Sequence, residues 1–364
     1  MRVRRNLVSR AGFTMLELLV AVSLSTIVVA GLYGVFTIQS RQLMFQDTQM
    51  SMHQNLRFAA DILTRTIRLA GYGTGGATTG LMGYDHGTSS TSDSFKLPAI
   101  IATDGGNADS DAITIVYAEP SVEMNTAVTT IEACSATTLS FDMDSRNYSS
   151  LIENYSAGEL LMCWDYAPSG GIKSYLWEIA SDGDSGTGTI EILSNSGSYA
   201  DFDSSCDLTE NLPPIMSCSR ATVVTYYIDA DASDGIGPGS EEHPALMMDL
   251  NYTYLLNGPT ADDVPLVDDI EDMQFEYCLA DQDCSETSSW TDTLDLDGSS
   301  EYEGESLWMV RLSLLARTPR EDLRTQDHRE TRPSLANRGG ASDSDGYHRQ
   351  LLSTQVTIRN LRLL

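Results

Sequence analysis

Three groups of residues in this chain have types and spacings that could do chemistry. The first is Gly12-Phe13-Thr14-Met15-Leu16-Glu17, where a carboxylate stands four residues after Phe13 inside an apolar run. Phe13 to Ile38 is 26 residues, and Glu17 is its only charged one. A carboxylate in a membrane-length helix costs about 2.5–3.5 kcal/mol on insertion scales, so it needs a partner. Cleavage after Gly12 would create one, an α-amine at Phe13 with a pKa of about 7.7–8.0. That amine would lie one helical turn before Glu17, on the same face, and Glu17 would also occupy the positive end of the helix dipole. In an uncleaved anchor the nearest cation is Arg10, two turns back. The residue types therefore favour a cut at Gly12/Phe13 and pairing of Glu17 with its own amine or that of a neighbouring copy.

The second group is Asp229-Ala-Asp-Ala-Ser-Asp-Gly. Side-chain oxygens alternate at Asp229, Asp231 and Ser233, Asp234 follows, and Gly235 permits a sharp turn. Ca²⁺ takes six to eight oxygens, often completed by a bidentate glutamate, and Glu241 or Glu242 could supply it. EF-hand spacing would place glycine sixth and glutamate twelfth, where this chain has Asp234 and Ser240. Two readings stand, a Ca²⁺ loop and an acidic hairpin tip; no other cofactor is implied. Ser181–Gly186 and Asp295–Gly298 are shorter versions of the same pattern.

The third group is six cysteines, all beyond the apolar run and none in a Cys-x-x-Cys pair. An even count outside a membrane anchor reads as disulfides. The local pairings are Cys278–Cys284 and Cys206–Cys218, which leave Cys134–Cys163, among about 15 possible connectivities. Nucleophile elbows, phosphate-cradling loops and His-Glu-x-x-His are missing, and the five histidines are scattered through polar contexts. An enzyme is not expected.

The charge is distributed to match a membrane anchor with an exported head. The formal net charge is −30, yet residues 1–73 carry 8 Lys/Arg against 3 Asp/Glu, residues 74–310 carry 4 against 43, and residues 311–364 carry 10 against 6. So acidic a middle has few cations to offer phosphates, which argues against nucleic acid as a partner. Arg2, Arg4, Arg5 and Arg10 precede the apolar run and hold that end in the cytoplasm. The run is longer than the apolar core of a secretory signal, and no small-residue cleavage site closes it.

After Ile38 the helix pattern continues in amphipathic form. Leu56, Ala59, Leu63, Ile67 and Ala70 make one stripe, and Gly71 and Gly73 supply the stop. Residues 73–94 are rich in Gly, Thr and Ser and read as a loop. Short β patterns follow at 111–119, 137–143, 159–166, 175–180 and 189–193, then at 221–229, 245–256, 272–280, 306–317 and 353–363. In 306–317, Val310, Leu312, Leu314 and Ala316 alternate with Arg311, Ser313 and Arg317; in the last strand Val356 and Ile358 alternate with Thr357 and Arg359. Both patterns predict half-buried antiparallel strands. The intervening 318–349 is polar and reads as an exposed, mobile loop.

Gly-Phe-Thr-Met-Leu-Glu with a basic leader and an apolar helix resembles the class III leader of type IV prepilins and type II secretion pseudopilins. Met15 stands where leucine is usual. The chain is further similar to PilW-family minor pilins. Val267, Ile270, Glu271, Met273, Gln274, Phe275 and Tyr277 fit "V-x-x-I-E-x-M-Q-F-x-Y". Val310 to Arg317 fits "V-R-L-x-L-L-x-R", and Thr354 to Asn360 fits "T-x-V-x-x-R-N". The helix end, NLRFAADILTRTIRLAGYG, fits the same family.

The resemblance implies an α+β, type IV pilin-like fold in which a long N-terminal helix packs on an antiparallel β-sheet head with a large β-rich insertion. It divides the chain into a leader (1–12), the helix (13–72, with 13–38 in membrane or filament core), a β-rich loop and insertion region (73–220), and a C-terminal antiparallel β region (221–364). It implies cutting after Gly12 by a prepilin peptidase, N-methylation of Phe13, and a role for Glu17 in filament assembly. The implied place is the inner membrane with a periplasmic head, and then the pilus or cell surface. The implied partners are other minor pilins, the major pilin, the peptidase and the inner-membrane assembly platform. The function expected is that of a minor pilin in an assembly-priming or tip complex. The alternatives are a J-like type II secretion pseudopilin, and a tip adhesin or Ca²⁺-dependent binding module whose activity would lie in residues 75–220.

Overall fold

The computed structural model describes residues 13–72, 81–82, 96–97, 99–105, 109–119, 131–135, 138–141, 155–165, 174–182, 189–191, 216–230, 243–250, 259–260, 262–279, 282–292, 307–321, 330–340 and 344–359. Among the described residues one α-helix, α1, runs from Met15 to Leu69. It begins at Thr14, whose carbonyl accepts the first helical bond from Leu18 N at 3.2 Å, and it ends one residue before Ala70. Gly71, with φ +72°, takes the left-handed conformation that closes it. The chain then docks at once: Gly71 N donates to Val116 O at 3.1 Å, and Ala118 N donates to Tyr72 O at 2.8 Å. The stop read from Gly71 is therefore also where the helix joins the sheet.

The chain divides into two compact units, up to Ser51 and from Met52 onward. In the first, the described residues are Phe13, Thr14 and the helix, and every apolar side chain from Phe13 to Leu32 is exposed. The second is the head. Its strands used below are β1 (Ile100–Thr103), β2 (Ala112–Ala118), β3 (Leu160–Asp165), β4 (Ser174–Glu178), β5 (Met216–Asp229), β6 (Ala245–Asp249), β7 (Val264–Asp268), β8 (Ile270–Leu279), β9 (Leu307–Arg317) and β10 (Arg349–Thr357).

Among the described residues the largest sheet has nine strands, and β5 is its spine. The first six residues of β5 pair with β3, its middle with β2 and its last five with β6, all antiparallel. One parallel bridge, Met82↔Tyr175, is the exception in this sheet. The division expected near residue 220 falls inside β5, so strands from both sides of it share hydrogen bonds within one unit. A second sheet has the order β8-β9-β10. The core joins the two sheets to the helix. Met52, Leu56, Ala59, Leu63 and Ile67 of α1 cluster with Ile113 and Ile115 of β2, with Phe275 and Tyr277 of β8, with Leu312 and Leu314 of β9, and with Val356 and Ile358. The stripe expected on the helix is the stripe that is buried.

Two local expectations are revised. β9 is buried on both faces, not one: Leu315 is 0% and Arg317 7% exposed. Arginine–aromatic stacks cover its outer side, with the Arg311 guanidinium 4.0 Å from the Trp290 ring and that of Arg317 4.3 Å from Tyr347. The described parts of 318–349 are also attached to the head. Leu335 is 3% exposed, Glu330–Thr331 pairs with Ser344–Asp345, and β10 already begins at Arg349.

Candidate functional site

The apolar segment needs its polar atoms satisfied without water. Ser23, Thr26 and Thr37 do this locally by donating to Val20 O at 2.9 Å, Val22 O at 2.8 Å and Gly34 O at 2.8 Å. The charged group of the segment is Glu17, and the structure places it in a reciprocal cap. Thr14 N donates to Glu17 Oε2 at 3.0 Å, Thr14 Oγ1 donates to the same oxygen at 3.1 Å, and Glu17 N donates to Thr14 Oγ1 at 3.2 Å. This is a capping box, in which a Thr N-cap and a Glu three residues later each satisfy an amide that the helix leaves unpaired. Thr14 is the site residue that the sequence analysis missed, although T-x-x-E is plain in Thr14-Met15-Leu16-Glu17.

The box fixes the Glu17 carboxylate at the start of an apolar surface. Phe13, Met15 and Leu16 are 89%, 87% and 72% exposed, so the carboxylate borders side chains that need an apolar covering. Among the described residues α1 is the helix long and apolar enough to cross a membrane. Gly12 lies outside the described residues.

The other candidate positions are separate from this one. Of the Ca²⁺ set only Asp229 is described, 5% exposed at the end of β5; Asp231, Ser233, Asp234 and Glu241 lie outside the described residues. Among the described residues no group of three or more His, Cys, Asp or Glu could hold a metal ion. Cys278 and Cys284 are bonded to each other as the local pairing expects. Cys206 lies outside the described residues, whereas Cys134, Cys163 and Cys218 lie on strands.

The head also carries a buried polar junction. Asp111, 4% exposed, accepts from Phe275 N at 2.8 Å and Gly105 N at 3.1 Å. Burial pushes its carboxyl up to about 7 against those two hydrogen bonds, with Asp104 and Asp272 adding to the rise. Asp272, 1% exposed, pairs with Arg338 at 2.9 Å and accepts from Ser110 Oγ at 3.0 Å and Gln274 Nε2 at 3.1 Å. Asn337 Nδ2 donates to Asp104 Oδ1 at 2.8 Å. Each carboxylate accepts from at least one donor of this chain, through Oδ1 in the case of Asp272, so the arrangement works as a clasp between 104–111, β8 and 332–340.

The comparisons with known proteins bear on the helix and on the C-terminal half of the head. Residues 225–360 match the family of the type IV pilus-assembly protein W, and residues 8–33 match the prokaryotic N-terminal methylation motif. The chain is thus similar to type IV prepilins at its N-terminus and to PilW-type pilus-assembly proteins over 225–360. Both families are pilin structural components. The same comparisons found no match among curated proteins and none among solved structures.

Proposed function

We propose that the protein is a minor pilin, cut after Gly12, methylated at Phe13, kept in the inner membrane by α1 with its head in the periplasm, and then inserted into a type IV pilus as part of its priming or tip complex. The observation that carries this reading is the capped Glu17 at the start of an apolar helical segment whose side chains are exposed from Phe13 to Leu32. Burying one Leu or Val side chain is worth about 1.5–3 kcal/mol. Covering the apolar segment by lipid or by neighbouring helices therefore outweighs the cost of one carboxylate that has a partner. Its partners in this reading are the prepilin peptidase, the assembly platform, other minor pilins and the major pilin.

The test is the intact mass and N-terminal sequence of the protein extracted from its native membrane. A chain starting at N-methylated Phe13 is expected. A chain that keeps residues 1–12 in peptidase-competent cells would make it a signal-anchored head instead. Deleting the gene and scoring twitching against protein secretion then separates a pilus subunit from a secretion pseudopilin.

A further inference from the structure

Cys163 of β3 and Cys218 of β5 occupy directly opposed register positions on neighbouring antiparallel strands. Opposed residues in such a pair have Cα atoms about 4.5 or 5.5 Å apart, inside the range of about 4.4–6.8 Å that a disulfide spans. They also lie on one face of the sheet. The register is firmly held. Six consecutive pairs run without a shift from Met216↔Asp165 to Ala221↔Leu160, and β5 is pinned at the same time to β2 from Ala221↔Ala118 to Tyr226↔Ile113. A slip of one residue would move the fully buried Leu161 and Met162 each to the other face of the sheet.

We propose that Cys163 and Cys218 are joined by a cross-strand disulfide, in place of the sequence-local pairing of Cys218 with Cys206. With Cys278 and Cys284 already bonded to each other, this assigns Cys134 to Cys206. The bond forms by thiol–disulfide exchange. The two thiols lose two protons and two electrons, the sulfurs join, and an acceptor disulfide of an extracytoplasmic thiol oxidant is reduced to two thiols. Its effect is to tie the β3–β4 part of the head to the spine strand. The inference is independent of the assembly role.

Peptide mapping without reduction tests it. Full-length protein is extracted in N-ethylmaleimide, unfolded and cut after glutamate. Cuts at Glu132, Glu153, Glu159, Glu178, Glu191, Glu210 and Glu241 put the four cysteines on separate peptides, 133–153, 160–178, 192–210 and 211–241. The expected product is 160–178 linked to 211–241, lost on reduction. A link from 192–210 to 211–241, a link from 133–153 to 160–178, or maleimide on both Cys163 and Cys218 would overturn the proposal. In a Cys163→Ser variant, Cys218 is expected to become the one alkylated thiol; alkylation of Cys134 instead counts against it. Should that variant not fold, the wild-type map still decides.

Discussion

Arg338 pairs with Asp272, Nη1 to Oδ1 at 2.9 Å, and the carboxylate it meets is 1% exposed. A residue from a polar stretch thus neutralises a charge in the core. Removing one partner of a buried ion pair costs about 3–5 kcal/mol, because the other charge is left unpaired. Arg338→Ala should lower the unfolding free energy of the protein by about that amount in denaturant titrations. Adding Asp272→Asn to it should recover part of the loss. A loss under 1 kcal/mol would mean that the clasp does not hold 332–340 to the head.

Asp111 gives the head a pH dependence of defined sign. Burial raises its folded pKa to about 7 from the ordinary aspartate value of 3.8, so between those values the folded state holds a proton that the unfolded state has released. Its contribution to stability is full below about 4, falls as pH rises toward 7, and is gone above 7. Asp111→Asn cannot ionise and should flatten this fall. The check is the denaturant midpoint of both proteins at several pH values between 4.5 and 8. Parallel profiles would show that Asp111 is ionised throughout.

The disulfide strap after β8 is held twice. Cys278 is bonded to Cys284, and Trp290 Nε1 donates to Cys284 O at 3.2 Å, while Arg311 stacks on the Trp290 ring and pairs with Glu276 at 3.0 Å. So short a loop yields about 2 kcal/mol from closure. Replacing both Cys278 and Cys284 by Ala should lower stability by about that much and leave the fold intact. Adding Trp290→Ala should cost further, and the two losses should not be additive, since both act on one strap.

What was legible in the sequence were features carried by short-range periodicity. The stripe from Leu56 to Ala70, the stop at Gly71 and the core face of β9 needed only spacing. What was missed depended on partners distant in sequence. β7 carries Pro265, which counts against a strand, yet it stands at the end of the sheet order with β6 as its partner, where a missing amide costs little. Arg311, Arg317 and Arg338 read as solvent-facing, because nothing local says that Trp290, Tyr347 and Asp272 will meet them. The local pairing of Cys278 with Cys284 holds, whereas Cys163 and Cys218 occupy opposed register positions that their 55-residue separation hides.

The same limit applies to Glu17, where one carboxylate serves two purposes that substitution can separate. The capping box needs an acceptor at position 17 for Thr14 N; pairing with an amine needs a charge. Glu17→Gln keeps a carbonyl oxygen for the cap and removes the charge, whereas Thr14→Val keeps the charge and removes the hydroxyl that Glu17 N donates to. Loss of an N-cap costs about 0.5–2 kcal/mol, so Thr14→Val should speed hydrogen exchange of the 15–18 amides in micelles, and Glu17→Gln should leave it close to wild type. Assembly should respond in the opposite order. In the proposed function Glu17→Gln and Glu17→Ala are cleaved normally but enter filaments poorly, and Thr14→Val enters them nearly as well as wild type, as scored by quantifying the subunit in sheared pili. If Glu17→Gln is incorporated at wild-type levels while Thr14→Val is not, then capping the helix is what Glu17 is for, and its charge is not read by a neighbour.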